Sequence, residues 1–318
     1  MAKSYKTLYR KLPDELFDML AEHYETSVLD KIYAGFMSER PVTLRVNTLK
    51  YSTRQVMEIF RSENIKFERV LWYDDALIVR NLREKDLEKH RLYQEGGIYL
   101  QSLSSMIPPL VLNPQSGANV LDLTAAPGSK STQMAAMMQN KGFILANEIN
   151  EIRAERLRYN VERQGTTIIK VRRGDGKRLE AEWQQYFDAV LLDAPCSGVG
   201  LFQLDAPQTY RGWSPKQVRE LSKEQKKLLE RAFWALKPGG ILVYSTCTLL
   251  REENEGVLEW FLNKFSGAVI LENLGFSLTG AEQVQRFTKP VGQSTAVLTV
   301  IPSALYEGFF VAKMRKLV

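Results

Sequence analysis

Cys196 and Cys247 are the only cysteines among the 318 residues, and each stands where an apolar run gives way to polar residues. Cys196 lies in "LLDAPCSGVG" (191–200) and Cys247 in "YSTCTL" (244–249). Free cysteine is often a buried, inert residue, but the polar neighbours at both positions argue against that interpretation. The proline before Cys196 fixes φ and predicts a stiff turn, from which Asp193 and the cysteine project. We therefore expect both sulfurs and the Asp193 carboxyl to meet in one active site.

A second group of residues predicts an adenosine-bearing cofactor. The stretch "VLDLTAAPGSKSTQMA" (120–135) is typical of a strand, a turn of small residues and a helix whose first N–H groups are free for a ligand. Glu148 ends the next apolar run 20 residues after Gly128, a spacing at which an acid commonly binds a ribose hydroxyl pair. Asp175, in "RRGDGKRL", is placed to accept from an adenine amino group. Taken alone, each residue fits an ordinary turn or helix cap equally well, but three successive strand ends of this kind favour a cofactor site.

A thiolate beside such a cofactor and a carboxylate suits the methylation of a pyrimidine. Carbon 5 of the ring is a poor nucleophile until a thiolate adds at carbon 6, after which the ring reacts as an enamine does. A carboxyl group that contacts ring nitrogen 3 stabilises the charge that develops there. After methyl transfer a base removes the carbon-5 proton and the thiol leaves. The residue types alone leave open which cysteine attacks.

The elements that must position these residues follow an α/β pattern. Apolar runs of buried-strand type alternate with helical stretches, which predicts a largely parallel sheet covered on both faces. Ligands of such sheets bind outside the carboxyl ends of the strands, where the acids and cysteines above all lie. The predicted strands are 118–123, 142–148, 167–171, 187–195 and 239–247, and the predicted helices are 130–140, 150–164 and 214–236.

The chain before residue 93 has a different pattern, a mixture of short strands and helices that predicts a small α+β module. We therefore divide the chain into an N-terminal module, residues 1–92, and a catalytic domain, residues 93–318. The predicted elements of the module are helices at 14–35 and 53–64 and strands at 43–48, 70–73 ("VLWY") and 76–80.

Composition limits the partners. A net charge of +6 and a pI of about 9.1 give mild support for a polyanion, since lysine and arginine displace counterions from phosphates, although a basic enzyme explains them equally well. Two histidines and two distant cysteines argue against a metal site and a disulfide framework. Because no apolar run approaches 18 residues and the N-terminus is polar, we expect a cytoplasmic protein with no membrane partner.

The motifs "VLDLTAAPGSKSTQMA", "ANEIN", "GDGKRL", "VLLDAPCSGVG", "YSTCTLLREENE" and "EGFFVAKMRK" together resemble the NOL1/NOP2/Sun (RsmB/RsmF-like) family of RNA cytosine-C5 methyltransferases. "LRVNTLK" and "YLQSLSSMIPPLVLNP" are similar to that family as well. The resemblance implies a class I S-adenosylmethionine-dependent methyltransferase domain, Rossmann-like and mostly parallel, behind an RNA-binding module. Cytosine-5 DNA methyltransferases also have a Pro-Cys motif, but there that cysteine is the nucleophile, and the second cysteine in "STC" separates the two classes.

The resemblance also assigns roles to residues. It makes Cys247 the attacking nucleophile, Cys196 the group that assists product release, and Asp193 the acid that contacts the cytosine ring. Glu148 and Asp175 match the ribose and adenine contacts. Ser129 stands where the family usually has glycine. The predicted cofactor site as a whole is Thr124, Ala125, Ala126, Pro127, Gly128, Lys130, Glu148, Arg153, Asp175, Gly176 and Asp193.

RNA is the predicted partner, and its target base must leave any stack to reach a thiol in a crevice. Arg45, Asn47 and Lys130 are the predicted RNA contacts, although an ordinary solvated surface is the alternative for each. We expect a monomer that acts on ribosomal RNA, with transfer RNA as the alternative substrate. A nicotinamide oxidoreductase would leave "DAPC" and "STC" without a role. An RNA-binding assembly factor without catalysis is disfavoured, because both sulfurs and Asp193 are present.

Overall fold

The structure, a computed structural model, describes residues 5–281, 283–284 and 296–318. Its first three helices pack their apolar faces on the loops that follow the two cysteines, in a cluster that includes Val199, Phe202 and Leu249. The helical stretch predicted at 14–35 is thus confirmed as two helices that support the active-site loops. The three helices are α1 (Tyr5–Lys11), α2 (Asp14–Ala21) and α3 (Thr26–Phe36).

A small antiparallel sheet of four strands follows. Its strands are β1 (Val42–Val46), β2 (Phe67–Arg69), β3 (Ala76–Val79) and β4 (Ile98–Leu100), and its helices are α4 (Thr53–Ser62), α5 (Glu84–Glu88) and α6 (Arg91–Gln94). The strand order is β2–β3–β1–β4. Ser52 and Gln55 form a capping box that starts α4, which buries Val56 and Phe60. The domain boundary at residue 92 stays a prediction, although β4, which lies beyond it, pairs with β1.

The strand predicted at "VLWY" is wrong, because these residues connect β2 to β3. Val70 accepts a hydrogen bond from the Tyr73 N–H (3.4 Å), which closes a turn. Trp72 packs edge-on against Phe276 and donates its indole N–H to the Tyr306 hydroxyl (2.8 Å). The apolar side chains of this segment therefore make contacts with distant parts of the chain instead of pairing in a sheet.

The larger sheet has nine strands within the described ranges, and five neighbouring strands of it are parallel. In chain order the strands are β5 (Asn119–Asp122), β6 (Phe143–Glu148), β7 (Ile169–Arg173), β8 (Phe187–Asp193), β9 (Leu236–Thr246), β10 (Val269–Leu271), β11 (Gln283–Val284), β12 (Val297–Val300) and β13 (Phe309–Lys316). Across the sheet the order is β11–β12–β13–β9–β8–β5–β6–β7, and β10 pairs with β13. The five predicted strands are confirmed as β5 to β9, whereas the antiparallel strands β10 to β13 lie outside the predicted set.

Helices cover both faces of the large sheet, as the sequence predicts. Alternate residues of the parallel strands enter different cores: Val120 and Val243 pack against the helices of one face, and Leu121 and Tyr244 against those of the other. Strands that are apolar on both faces need cover on both, which explains the α/β layering. None of the helices in the described residues is both long and apolar enough to cross a bilayer. The helices are α7 (Leu103–Leu112), α8 (Ser129–Met137), α9 (Glu151–Arg163), α10 (Pro215–Ala235) and α11 (Glu255–Lys264).

Arg45 and Asn47, which were predicted to contact RNA, are buried between the small sheet and the helices of the large one. The Arg45 guanidinium donates to Thr132 Oγ1 in α8 (3.1 Å). The Asn47 amide donates to the carbonyl oxygens of Gly96 (2.8 Å) and Gln164 (2.7 Å), the latter just after α9. The RNA prediction is therefore wrong for both residues, because neither side chain reaches the surface. They join the two parts of the chain instead.

We predict that Asn47→Ala lowers the free energy of unfolding by about 1–3 kcal/mol, because it removes a donor from the buried Gln164 carbonyl and a second hydrogen bond to Gly96. Urea denaturation followed by circular dichroism measures the change. Asn263→Ala, on an exposed position of α11, is the matched control and should cause no such loss. Equal stability of the Asn47 variant and the unmodified protein would contradict the assigned role.

Candidate active site

The active-site residues meet because β8 and β9 are parallel neighbours whose carboxyl ends coincide. Asp193 pairs in register with Ser245, two residues before Cys247. The turn after β8 carries Cys196 to the same place, and the two Sγ atoms are 3.1 Å apart. The structure therefore brings together the two sulfurs and the carboxyl group that the sequence predicted to share a site.

The two thiols are not equivalent. A hydrogen bond with Cys247 raises the pKa of Cys196 well above the ordinary value, and burial raises this pKa further. Cys196 is consequently a thiol that retains its proton, 3.1 Å from the Cys247 sulfur, and its own sulfur accepts from the Cys247 N–H (3.3 Å). A thiol that retains its proton is a poor nucleophile, which argues against Cys196 as the attacking sulfur.

A partly buried ion pair lies next to the sulfurs. Lys130 Nζ is 2.6 Å from Asp193 Oδ2 and donates to Ser105 Oγ (2.8 Å), while Asp193 Oδ1 accepts from Ser245 Oγ (2.8 Å). Burial lowers the pKa of Lys130, but the Asp193 carboxylate more than offsets burial and the net direction is upward. Lys130 is therefore an ammonium ion, and the Asp193 carboxylate is held by a partner on each oxygen.

A cavity of about 350 Å³ opens beside this pair. Lys130, Asp193 and Cys247 supply its charged and reactive wall, and Phe309 supplies an aromatic one. A cavity with one apolar wall and convergent polar groups suits a single planar ring that makes hydrogen bonds. Its lining residues are Tyr99–Ser102, Ser105, Asp122, Thr124–Pro127, Ser129, Lys130, Asp193, Leu201, Cys247, Glu307 and Phe309.

A second cavity, also of about 350 Å³, adjoins the first, and Thr124, Ala126, Asp193 and Cys247 line both. Four more residues of the predicted cofactor site line it: Glu148, Arg153, Asp175 and Gly176. The reactive sulfur and the carboxylate therefore stand on the boundary between two pockets, so that ligands in the two would meet there.

Local hydrogen bonds fix the two acids of the second cavity. Glu148 is almost fully buried, and its Oε1 accepts from the Asn150 N–H (2.9 Å) at the start of α9. Asp175 Oδ1 accepts from the Lys177 N–H (2.9 Å). Asp175 keeps its second oxygen for a ligand, whereas Glu148 Oε2 lies 3.5 Å from the Arg153 guanidinium and has a further lone pair for one. Both acids therefore match the predicted contacts to hydroxyl and amino groups.

Gly128 lies at the start of α8 and, unlike the rest of the predicted loop, lines neither cavity. Its φ of +105° is a left-handed conformation, and a Cβ there would stand 2.8 Å from Leu157 Cδ1. Glycine is therefore required for the turn and for packing against α9. Ser129 begins α8 with an ordinary helical backbone, which explains why a side chain is accepted at this departure from the family pattern.

Sequence reasoning missed four polar residues around the sulfurs: Ser105, Gln225, Glu253 and Glu307. Glu253 stands in the quoted motif "YSTCTLLREENE". It is fully buried, but the sequence alone does not distinguish it from the charged residues beside it. Gln225 lies within α10, about thirty residues before Glu253, and donates to it (2.9 Å). No local pattern identifies such a residue, because only the packing of α10 on the sheet brings it there.

Asp122 gives this site a pH-dependent stability. Burial raises the pKa of Asp122 to about 7, against the opposing hydrogen bond from Ser131. In an unfolded chain the same carboxyl titrates near 4. Between these values the folded protein holds a proton that the unfolded chain has released, so the contribution is full below about pH 4 and is lost as pH rises towards 7. We predict that Asp122→Asn removes a slope of up to about 1.4 kcal/mol per pH unit from the free energy of unfolding.

Asp188→Asn is the control with the opposite sign, measured by urea denaturation from pH 3 to 8. Burial raises the pKa of Asp188, but the Lys237 ammonium (2.6 Å) and the Asn119 N–H (2.8 Å) lower it more, and the net direction is downward. Its stabilising contribution is present above about pH 4 and lost as pH falls, so this variant should flatten the acidic limb only. The same profile for both variants would refute the assignment.

Comparison with known proteins shows which family the chain resembles. A family model described as 16S rRNA methyltransferase RsmB/F matches residues 109–315, and a model of the ferredoxin-like domain of RsmF/B-like methyltransferases matches residues 12–84. A ribosomal RNA small subunit methyltransferase F from Shewanella sp. (strain MR-4) is 42% identical over 278 residues, which cover 86% of this chain and 56% of the relative. The chain thus spans little more than half the length of that relative.

Solved structures agree on the fold. A methyltransferase homologue from Pyrococcus horikoshii is 29% identical with a TM-score of 0.76, over 96% of this chain and all of that one. NSun6 from the same organism, solved with SFG, is 22% identical with a TM-score of 0.81, over 97% of this chain and 99% of that one. The predicted class I S-adenosylmethionine-dependent methyltransferase fold with a small N-terminal domain is confirmed. Because the first family model spans well over half of its residues, this chain belongs to the 16S rRNA methyltransferase RsmB/F family.

Proposed function

We propose that the protein transfers a methyl group from S-adenosylmethionine to carbon 5 of cytosine in ribosomal RNA, through a covalent bond between Cys247 and the base. The observation that carries the proposal is the position of Cys247 and Asp193 on the boundary of two adjoining cavities, with a second thiol 3.1 Å from the first. A methyl donor in one cavity and a base in the other would meet at that boundary.

The second cavity fits the cofactor. It contains two carboxylates, Glu148 and Asp175, which would accept hydrogen bonds from ribose hydroxyls and an adenine amino group. At Gly176 a Cβ would lie 3.2 Å from the Leu123 carbonyl oxygen and 3.0 Å from Leu228 Cδ2, so the absence of a side chain keeps this wall open. When bound, S-adenosylmethionine supplies an electrophilic methyl group.

The first cavity fits a cytosine that has left its stack. Addition of the Cys247 sulfur to carbon 6 turns carbon 5 into a nucleophile towards that methyl group. The fixed Asp193 carboxylate and the Lys130 ammonium form a hydrogen-bonding wall for the ring, where charge develops after the addition. Lys130 is thus assigned to the base cavity as a group that touches the substrate.

Cys196 assists the end of the reaction. Once the carbon-5 proton has gone to a base, the carbon–sulfur bond breaks and its electron pair returns to Cys247. The neutral Cys196 thiol, 3.1 Å away, donates a hydrogen bond to the departing sulfur and stabilises it as a thiolate. The raised pKa of Cys196 supports this division of labour, which agrees with the roles that the family resemblance implies.

Ribosomal RNA is the proposed substrate because the family model and the curated relatives are named for it. A third cavity of about 410 Å³ adjoins the base cavity through Leu100–Ser102, Leu201 and Glu307, and reaches Arg40 and Thr43 at the small sheet. It offers a path for the strand on either side of the base, and it replaces Arg45 and Asn47 as the contact of the RNA-binding module. Two free thiols in contact fit a reducing cytoplasm. Action as a monomer stays a prediction.

We predict that Cys247→Ala abolishes methyl transfer while cofactor and RNA binding persist, because only the attacking atom is removed. The assay supplies labelled S-adenosylmethionine with 16S ribosomal RNA that lacks 5-methylcytosine, and bisulfite sequencing locates the product. Transfer RNA in a parallel reaction tests the alternative substrate. Methylation by the alanine variant at the rate of the unmodified protein would overturn the covalent mechanism. Label in transfer RNA alone would overturn the assignment of ribosomal RNA as the substrate.

The Cys196→Ala variant should behave differently, because it keeps the nucleophile and loses the group that stabilises the departing sulfur. We predict a loss of turnover on the order of 100-fold, together with a protein–RNA complex that survives a denaturing gel. The double variant Cys196→Ala/Cys247→Ala is the control and should form no such complex. A stable complex in the double variant, or none in the single variant, contradicts the proposed roles.

A further inference from the structure

Glu253 is a fully buried carboxylate that the mechanism above does not use. It lies in the turn between β9 and α11, six residues after Cys247. Burial raises its pKa, and the net direction is upward although four hydrogen-bond donors oppose the shift: the side chains of Ser197, Gln225 and Thr248, and the Ser197 N–H. So many donors directed at one buried acid indicate that it has a specific structural role.

The contacts of Glu253 connect the two cysteine loops. Its Oε1 accepts from the N–H of Ser197 (2.9 Å), the residue after Cys196, and its Oε2 accepts from the Ser197 hydroxyl. That hydroxyl also lies 3.0 Å from Thr248 Oγ1, the residue after Cys247. One carboxylate therefore holds both loops immediately beyond the sulfurs.

A helix completes the connection. Gln225 in α10 donates through one nitrogen both to Glu253 Oε1 (2.9 Å) and to the carbonyl oxygen of Pro195 (2.9 Å), the residue before Cys196. The Cys196 loop is consequently fixed on both sides of the sulfur, by Pro195 and by Ser197. These hydrogen bonds restrain the Cys196 loop and so help to hold the two sulfurs 3.1 Å apart.

The charges around the sulfurs define what Glu253 adds. Cys196 faces Cys247 and the Glu253 carboxylate. The hydrogen bond with Cys247 and burial raise the pKa of Cys196 most, and electrostatic interactions with Cys247 and Glu253 raise it further. Cys247 lies near the Lys130 ammonium, which is already paired with Asp193. The negative charge of Glu253 therefore helps to keep the proton on Cys196.

We propose that Glu253 is a positioning residue, which holds the two cysteine loops in register and keeps Cys196 a neutral thiol, so that Cys247 is the sulfur left to attack. The inference rests on the proposed function for its catalytic meaning. The physical claim is that one carboxylate makes two neighbouring thiols unequally reactive. This claim does not depend on the substrate.

Thiol labelling tests the inference without any methyl transfer. The full-length protein is treated with iodoacetamide from about pH 6 to 10, and mass spectrometry of peptides gives the rate at each cysteine. In the unmodified protein Cys247 should be labelled faster than Cys196 at about pH 8. Faster labelling of Cys196 would overturn the inference without need of a variant.

Two substitutions separate charge from shape. Glu253→Gln keeps the size and the acceptor oxygen but removes the charge, and should raise the ratio of Cys196 to Cys247 labelling by about tenfold near pH 8, since loss of a like charge lowers a thiol pKa by on the order of one unit. Glu253→Asp keeps the charge with a shorter side chain and should leave the ratio low. Glu259→Gln, which loses only its exposed ion pair with Arg251, is the matched control.

The outcomes are decisive in either direction. A raised ratio in Glu253→Gln alone supports the inference, whereas the same ratio in all four proteins, or equal increases in the Gln and Asp variants, overturns it. Methyl transfer by the same preparations is measured separately. If labelling follows the expected pattern and no RNA is methylated, the proposed function fails while the role of Glu253 stands.

Discussion

The parallel pairing of β8 with β9 is the constraint on which the active site depends. It sets Asp193 opposite Ser245, and the two turns that leave these strands must then run side by side. Cys196 and Cys247, 51 residues apart in the chain, become neighbours for that reason. Strand register is rigid because a slip by one residue would turn every buried side chain of the strand to the wrong face. The site is thus as precise as the sheet beneath it.

Burial of charge is the second feature of the site. Asp122, Lys130, Asp193 and Glu253 lie close to the two sulfurs, and each is bound by at least one hydrogen bond or ion pair. Such groups are costly to remove from water and stabilise a fold only when their partners are in place. Their arrangement therefore favours chemistry over stability, since charges that are fixed in advance act on a charge that develops beside them.

The N-terminal helices and the small sheet complete the site from outside. Helices α1 to α3 pack on the loops after both cysteines, and the Tyr24 hydroxyl donates to the Leu249 carbonyl (2.9 Å) just beyond Cys247. At the same place a Cβ at Gly200 would lie 2.0 Å from the Gly308 carbonyl oxygen, so the Cys196 loop and the segment before β13 touch through backbone. The loops that carry the sulfurs are consequently enclosed by packed structure, which limits their motion.

The sequence by itself determined the parallel strands β5 to β9, the helices between them and the two cysteine motifs, because these depend on local patterns of apolar and turn residues. It also placed the two cysteines and the acids Glu148, Asp175 and Asp193 at strand ends. Tertiary structure alone decided which polar residues are buried and what they bind. Arg45 and Asn47 are residue types that suit an RNA contact, but they are buried between the small sheet and the helices of the large one. Gln225 and Glu253 meet only when α10 packs on the sheet. The physical reason is that strand ends follow from the order of residues, whereas a side chain's partners follow from contacts between segments far apart in the chain.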